Sequence, residues 1–251
     1  MTIRAVTFDL WDTIVDDDSD EPKRAAKGLR SKRDERRHLV WEALNTVEPI
    51  DLEAVVQAYD VADAASNVVW KENHINWTVD QRLRVILMGL KKTLPADTMA
   101  KLIEDTGRME VDIPPDAIDG IKEALENLSG RYKLCIVSDA IVTPGTGLRD
   151  LLELYDLKKY FDGFAFSDEV GHSKPHKSMF DSAAEQLGVE LDEIVHIGDR
   201  DHNDVKGPHA IGAKAILFTA TRADDRDITT ADAICDHHKD LAATIDTLAA
   251  G

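Results

Sequence analysis

Cysteine is nearly absent from this 251-residue chain: Cys135 and Cys235 are the only two, each inside an apolar stretch and without Cys-x-x-Cys spacing. That gives a disulfide framework or a zinc site little support and makes a reducing cytoplasm the expected setting. Basic residues are scarce too, 30 Lys and Arg against 48 Asp and Glu, for a formal net charge of −18 with nine His neutral. Such a balance opposes general binding to nucleic acid or to anionic lipid. Long apolar runs are missing as well. The longest inside a helical pattern, residues 85–90, falls far short of the roughly 20 residues a membrane span needs. Residues 1–4 lead straight into a strand-like run and lack the regions of a signal peptide, so the mature protein is expected to start there. Internal repeats and low-complexity tracts are also absent.

What is present is alternation. Residues 3–8 are apolar and β-branched and stop at Asp9, as a buried parallel strand delivers a polar residue at its carboxyl end. The pattern returns at 132–137 before Ser138, at 163–166 before Ser167, at 193–197 before Gly198-Asp199 and at 214–218 before Thr219. Helix-like segments at 116–128, 148–155, 175–187 and 205–211 lie between them. Strand alternating with helix predicts an α/β fold with a doubly wound parallel sheet. Residues 16–112 break the pattern with helical signals only, which predicts a core of 1–15 and 113–251 carrying an all-helical cap. Within that insert Thr78 and Gln81 form a capping box opening a helix over 79–92, and Pro95 and Gly107 bracket another. An acidic run (Asp16, Asp17, Asp18, Asp20, Glu21) precedes a segment, 21–40, with eight Lys or Arg against three acids. Both runs read as a solvated hinge and a solvated helix face.

In open parallel sheets ligands bind beyond the carboxyl ends of the strands, where the strand order switches. That rule gathers Asp9, Ser138, the loop before Lys174, and Asp199. Four segments stand there in order: Phe8-Asp9-Leu10-Trp11-Asp12-Thr13, Ile136-Val137-Ser138-Asp139, Ser173-Lys174-Pro175 and Gly198-Asp199-Arg200-Asp201-His202-Asn203-Asp204-Val205. In residues, order and spacing they resemble the motifs of the haloacid dehalogenase superfamily, over residues 1–14 and about 113–240. The cap's own sequence carries no such match.

The resemblance implies a Rossmann-like core and an aspartate-nucleophile hydrolase, most simply a phosphatase acting on a small anionic, phosphorylated substrate. Asp9 would be the nucleophile, and Thr13 would orient it through its hydroxyl or its backbone. Ser138, Asp139 and Lys174 would face the phosphoryl group, with Pro175 at the first position of a helix. Mg²⁺, which takes oxygen ligands and keeps several waters, would be held by Asp9, Asp199 and the carbonyl of Trp11, with Asp204 holding a bound water. Turn or helix capping is the plain alternative for Thr13 and Ser138, and the preferred one for Asp201 and Asn203. His202 and His209 read as structural or solvated.

One position departs from the family. Its phosphatases carry a second Asp two residues after the nucleophile as general acid and base, and Trp11 stands there. Asp12, one residue on, is the nearest replacement. The departure keeps two further readings open: a 2-haloacid dehalogenase with a cap arginine at Arg36 or Arg37, or a catalytically weak phosphate-binding relative. A phosphonatase-type lysine would be Lys71. The acidic fourth segment favours phosphate over halide.

Overall fold

The computed structural model describes residues 2–250. Strands β1 (Ala5–Phe8), β2 (Lys133–Ser138), β3 (Gly163–Phe166), β4 (Ile194–Gly198), β5 (Lys214–Phe218) and β6 (Ala233–Cys235) form one six-stranded sheet in the order β3-β2-β1-β4-β5-β6. Every adjacent pair is parallel. The N-terminal strand therefore lies in the middle, with later strands added on either side, which puts the switch in strand order at the end of β1.

Between β1 and β2 come α1 (Asp20–Ala26), α2 (Lys32–Asn45), α3 (Leu52–Asn73), α4 (Val79–Leu90), α5 (Ala96–Gly107), α6 (Met109–Asp112) and α7 (Ile121–Ser129). Next follow α8 (Gly145–Leu154), α9 (Ser167–Val170), α10 (Lys177–Leu187), α11 (Gly207–Ala210) and α12 (His238–Ala250). One face of the sheet packs on α7, α8 and α12 through Leu125, Leu128, Leu148, Leu151, Leu241 and Ile245. The other packs on α10 through Met179, Phe180, Ala183 and Leu187. Burial on both faces explains why the strands read as unbroken apolar runs rather than alternating ones.

Helices α2 to α5 gather an apolar cluster of their own, with Val40, Leu44, Val55, Tyr59, Leu83, Ile86 and Leu102 at its centre. The capping box at Thr78 and Gln81 is formed. None of the described helices is long and apolar enough to cross a membrane. The two chain passages joining this helical layer to the sheet are sewn to each other. Asp16 N donates to Asp116 O (2.9 Å), Ile118 N to Ile14 O (2.9 Å) and Asp116 N to the Ser19 hydroxyl (2.7 Å). Lys23 Nζ adds contacts to Asp116 and to the Pro114 carbonyl, both at 2.6 Å.

Several expected bounds move. The segment 21–40 is two helices, because Gly28 takes a left-handed φ of 71° and Ser31 caps α2 anew. Pro175 sits ahead of α10, whose cap is His176. Part of the expected helix at 205–211 is instead a π-helical turn, Asp201–Lys206, a geometry that recurs at functional sites.

Candidate active site

Asp9 continues β1, its N–H donating to Ile197 O of β4 at 2.8 Å. Ser138 ends β2 and donates its hydroxyl to Asp9 Oδ1 at 2.8 Å. Lys174, buried in the loop between α9 and α10, places Nζ 2.8 Å from the same Asp9 oxygen and 2.7 Å from Asp204 Oδ1. Two donors on one oxygen hold the rotation of the Asp9 carboxylate.

Asp204 is the anchor of this cluster. Its Oδ1 also takes the Nε2–H of His196 at 3.1 Å, and its Oδ2 takes the Arg200 N–H at 3.0 Å. Because ionised Asp204 only accepts, His196 must donate through Nε2 and accept at Nδ1 from the Thr7 hydroxyl, 2.8 Å away. Burial holds the imidazole below its usual pKa, against the pull of Asp204, and so keeps it neutral. Burial alone would also raise Asp204. The Lys174 ammonium and the His196 bond outweigh it and leave Asp204 well below the carboxylate range. Burial likewise works against Lys174, but Asp204, Asp9 and Asp139 together raise it. The π-helical turn tucks Asp204 under Gly198, where an added Cβ would lie 2.3 Å from Asp204 Cγ. Only glycine fits before Asp199.

Asp199 completes the cluster. Burial first, then the charges of Asp204 and Asp9, push it far above its ordinary range. Its Oδ2 is buried with no hydrogen-bond partner, the Arg200 and Arg222 guanidinium nitrogens staying 3.7 Å away. Oxygens of Asp9, Asp199 and Asp204 all lie within 4.8 Å of one another. Three buried carboxylates against one lysine, with an orphaned oxygen among them, fit a hard divalent cation.

Other expected residues behave differently. The Thr13 hydroxyl is buried without a partner, so no hydroxyl link to Asp9 forms; its carbonyl accepts from His238 Nε2 of α12 at 2.7 Å. Asp139, expected on the phosphoryl group, spends Oδ1 on the Lys174 N–H (2.9 Å) and Oδ2 on Trp70 Nε1 (3.3 Å), which ties it to the position of Lys174. Burial raises its pKa to about 6. Asp12 has a left-handed φ of 54°, and its carboxylate accepts from the Asp17 N–H at 3.3 Å. Asp201 pairs with Lys206 at 2.7 Å and accepts from Thr230 N rather than capping a helix.

A cavity of about 210 Å³ opens over Asp9 and Lys174 and is bounded across from them by Lys32, Arg36, Trp70 and Glu110 of the helical layer. Sequence reasoning singled out none of these but Arg36. The basic segment is therefore not one solvated face. Lys32 is buried among Asp18, Asp20 and Glu110 at 3.0, 2.8 and 3.1 Å, and Arg36 lines the cavity. Arg37 pairs with Asp60 and Asp63 away from it. Lys71 and His202 line a neighbouring cavity, and His209 bonds Asp232.

A family model described as haloacid dehalogenase-like hydrolase matches residues 3–212. The chain is 26% identical over 225 residues to the 5-amino-6-(5-phospho-D-ribitylamino)uracil phosphatase YigB of Escherichia coli K12, covering 88% of this chain and 86% of that one. In structure it is similar to the 2-haloacid dehalogenase of Pseudomonas syringae pv. Tomato DC3000, with a TM-score of 0.68 at 18% identity over 98% of this chain and 100% of that chain. The magnesium-bound HAD-hydrolase YfnB of Bacillus subtilis aligns with a TM-score of 0.59, again at 18% identity, over 98% of this chain and 100% of its own. Since the matching family model runs through the ends of β1, β2, β3 and β4, where these side chains meet, the chain belongs to the haloacid dehalogenase-like hydrolases.

Proposed function

We propose that this hydrolase is a Mg²⁺-dependent phosphatase that passes a phosphoryl group through Asp9, acting on a small phosphorylated metabolite in the cytoplasm, with residues 1–15 and 113–251 as core and 16–112 as cap. The observation that carries the reading is the buried set Asp9, Asp199 and Asp204 around Lys174. Displacement of halide from carbon would leave the orphaned Asp199 oxygen with nothing to hold.

Asp9 Oδ1 is pinned by Ser138 and Lys174, and Oδ2 makes no hydrogen bond among the described residues, which leaves it free to attack phosphorus. Lys174 supplies fixed positive charge to the equatorial oxygens as Asp9 closes on them. Asp9, Asp199 and the Trp11 carbonyl, with Asp204 through water, would hold Mg²⁺, which supplies charge neutralisation between carboxylate and phosphoryl oxygens. Water then attacks the phosphorus of aspartyl-phosphate and returns the Asp9 carboxylate.

Turnover of 4-nitrophenyl phosphate is expected to vanish in excess EDTA and to return with added Mg²⁺, which should also raise the thermal midpoint by binding the folded state alone. Undiminished turnover in EDTA would sink this reading.

Arg36 sets a second expectation. Its side chain is 19% exposed and stands 3.8 Å from Glu110, with Nε buried and unpartnered, whereas the Arg33 side chain is 70% exposed. Arg36→Gln should lower kcat/KM for anionic esters by about tenfold and flatten its fall with rising salt, while Arg33→Gln changes neither. Equal effects of the two would mean that only general surface charge steers the substrate.

A further inference from the structure

An alkyl phosphate leaves as a strongly basic alkoxide unless a proton is delivered to it, and the indole of Trp11 has none to give at neutral pH. The Trp11 Nε1–H is moreover spent on the Asp139 carbonyl at 3.2 Å. Asp12 is not among the residues that line the cavity. The carboxyl groups that do are those of Asp9, Asp17, Asp18, Glu110 and Asp139.

Four of the five are committed. Asp9 is held by Lys174 and Ser138, and Asp139 by the Lys174 N–H and Trp70. Asp18 and Glu110 both pair with Lys32, and Glu110 takes the Thr143 hydroxyl as well, at 2.5 Å. Among the described residues Asp17 alone of the five lacks both a cation within ion-pairing distance and a side-chain hydrogen-bond donor; its Oδ1 accepts only the N–H of Asp18, at 2.9 Å.

We propose that Asp17 is the general acid and base of this enzyme, taking the role that the residue two places after the nucleophile cannot fill. In the first step Asp9 Oδ2 bonds to phosphorus, the bond from phosphorus to the leaving oxygen breaks, and the Asp17 carboxyl proton passes to that oxygen to give the alcohol. In the second, the Asp17 carboxylate takes a proton from water as the water oxygen bonds to phosphorus and the bond to Asp9 breaks. Phosphate departs with Asp9 ionised and Asp17 protonated, as at the start. The proposal rests on the phosphatase reading above.

The charges around Asp17 suit both halves. Burial first, then the neighbouring Asp18, raise its pKa to about 6; Lys32 of α2 opposes them, and Glu110 of α6 and Asp12 from the loop after β1 add to them. A group titrating there is substantially populated in both forms near neutrality.

The test compares wild type, Asp17→Asn and Asp17→Glu in full-length protein with Mg²⁺, on benzyl phosphate and on 4-nitrophenyl phosphate, whose phenolate leaves unaided. Asp17→Asn should lower kcat/KM for benzyl phosphate by about 10²-fold and for 4-nitrophenyl phosphate by less than about threefold, because kcat/KM reports the step that expels the leaving group. By contrast kcat, which includes the shared hydrolysis of aspartyl-phosphate, should fall for both esters. It should also abolish the fall in kcat/KM for benzyl phosphate above pH 6, and Asp17→Glu should restore part of both. Equal loss of kcat/KM on both esters, or a pH limb that survives in Asp17→Asn, would overturn the role of Asp17 and leave the phosphatase reading standing. A folded wild-type enzyme that hydrolyses neither ester would overturn both.

Discussion

Asp9→Asn should reduce 4-nitrophenyl phosphate turnover by at least about 10³-fold, because an amide cannot replace the carboxylate in attacking phosphorus and nothing else near Lys174 is free to do so. Asp204 is occupied by Lys174, His196 and Arg200, and Asp199 follows the neighbouring strand β4 rather than β1. The variant should nevertheless fold. Lys174 keeps Asp204 at 2.7 Å, and removing one of three crowded carboxylates relieves the repulsion that raises Asp199. Steady-state kinetics and a thermal melt of the same sample separate the two effects. Residual turnover above about a tenth of wild type would remove Asp9 from the nucleophile's place.

Lys174→Met should do the opposite to stability. The methionine fills much of the same volume but leaves Asp9, Asp204 and Asp139 without their ammonium, and uncovering a buried charge typically costs about 3–5 kcal/mol. Urea unfolding at neutral pH should show a loss of that order, with turnover lost as well. In wild type Asp204 is depressed by Lys174, so its contribution is present above the unfolded value of 3.8 and lost as pH falls through the lower folded value. The raised Lys174 contributes below its unfolded value of 10.5. The deficit of the variant should therefore be largest between these limits and shrink as acid protonates the abandoned carboxylates. A deficit that stays constant from pH 8 down to about pH 2 would show that lost packing, and not lost charge, is responsible.

Much of the core was legible because buried parallel strands write themselves as apolar runs ending on a polar residue, and Asp9, Ser138 and Asp199 are such endings. Strand β6 escaped notice: Ala233–Cys235 is three residues long and stands between Asp232 and Asp236, too short for any period to show. The far wall of the cavity was hidden for a different reason. Whether Lys32, Arg36, Trp70 and Glu110 face Asp9 depends on how the helical layer docks on the sheet, and no local pattern records that. The acidic and basic runs were each read as solvated because each was read by itself. Folded, they answer one another, with Asp20 wholly buried against Lys32 at 2.8 Å. An acidic run followed by a basic segment that turns back at Gly28, bringing Lys32 toward Asp20, was a signal for that pairing.

The stitching of Asp16 to Asp116 and of Ile14 to Ile118 also bears on how the chain reaches its fold. The central strand β1 must find β2, which begins at Lys133, across more than a hundred intervening residues, and loop-closure entropy makes such pairings slow. The helical segment between them is rich in local contacts and has its own apolar cluster, so it can order early. Once its two ends are tied, the separation that β1 and β2 still have to close shrinks from the whole insert to the short stretch from Ala117 to Lys133. The segment that covers the active site thereby acts during folding as a clasp that brings the first two strands of the sheet together.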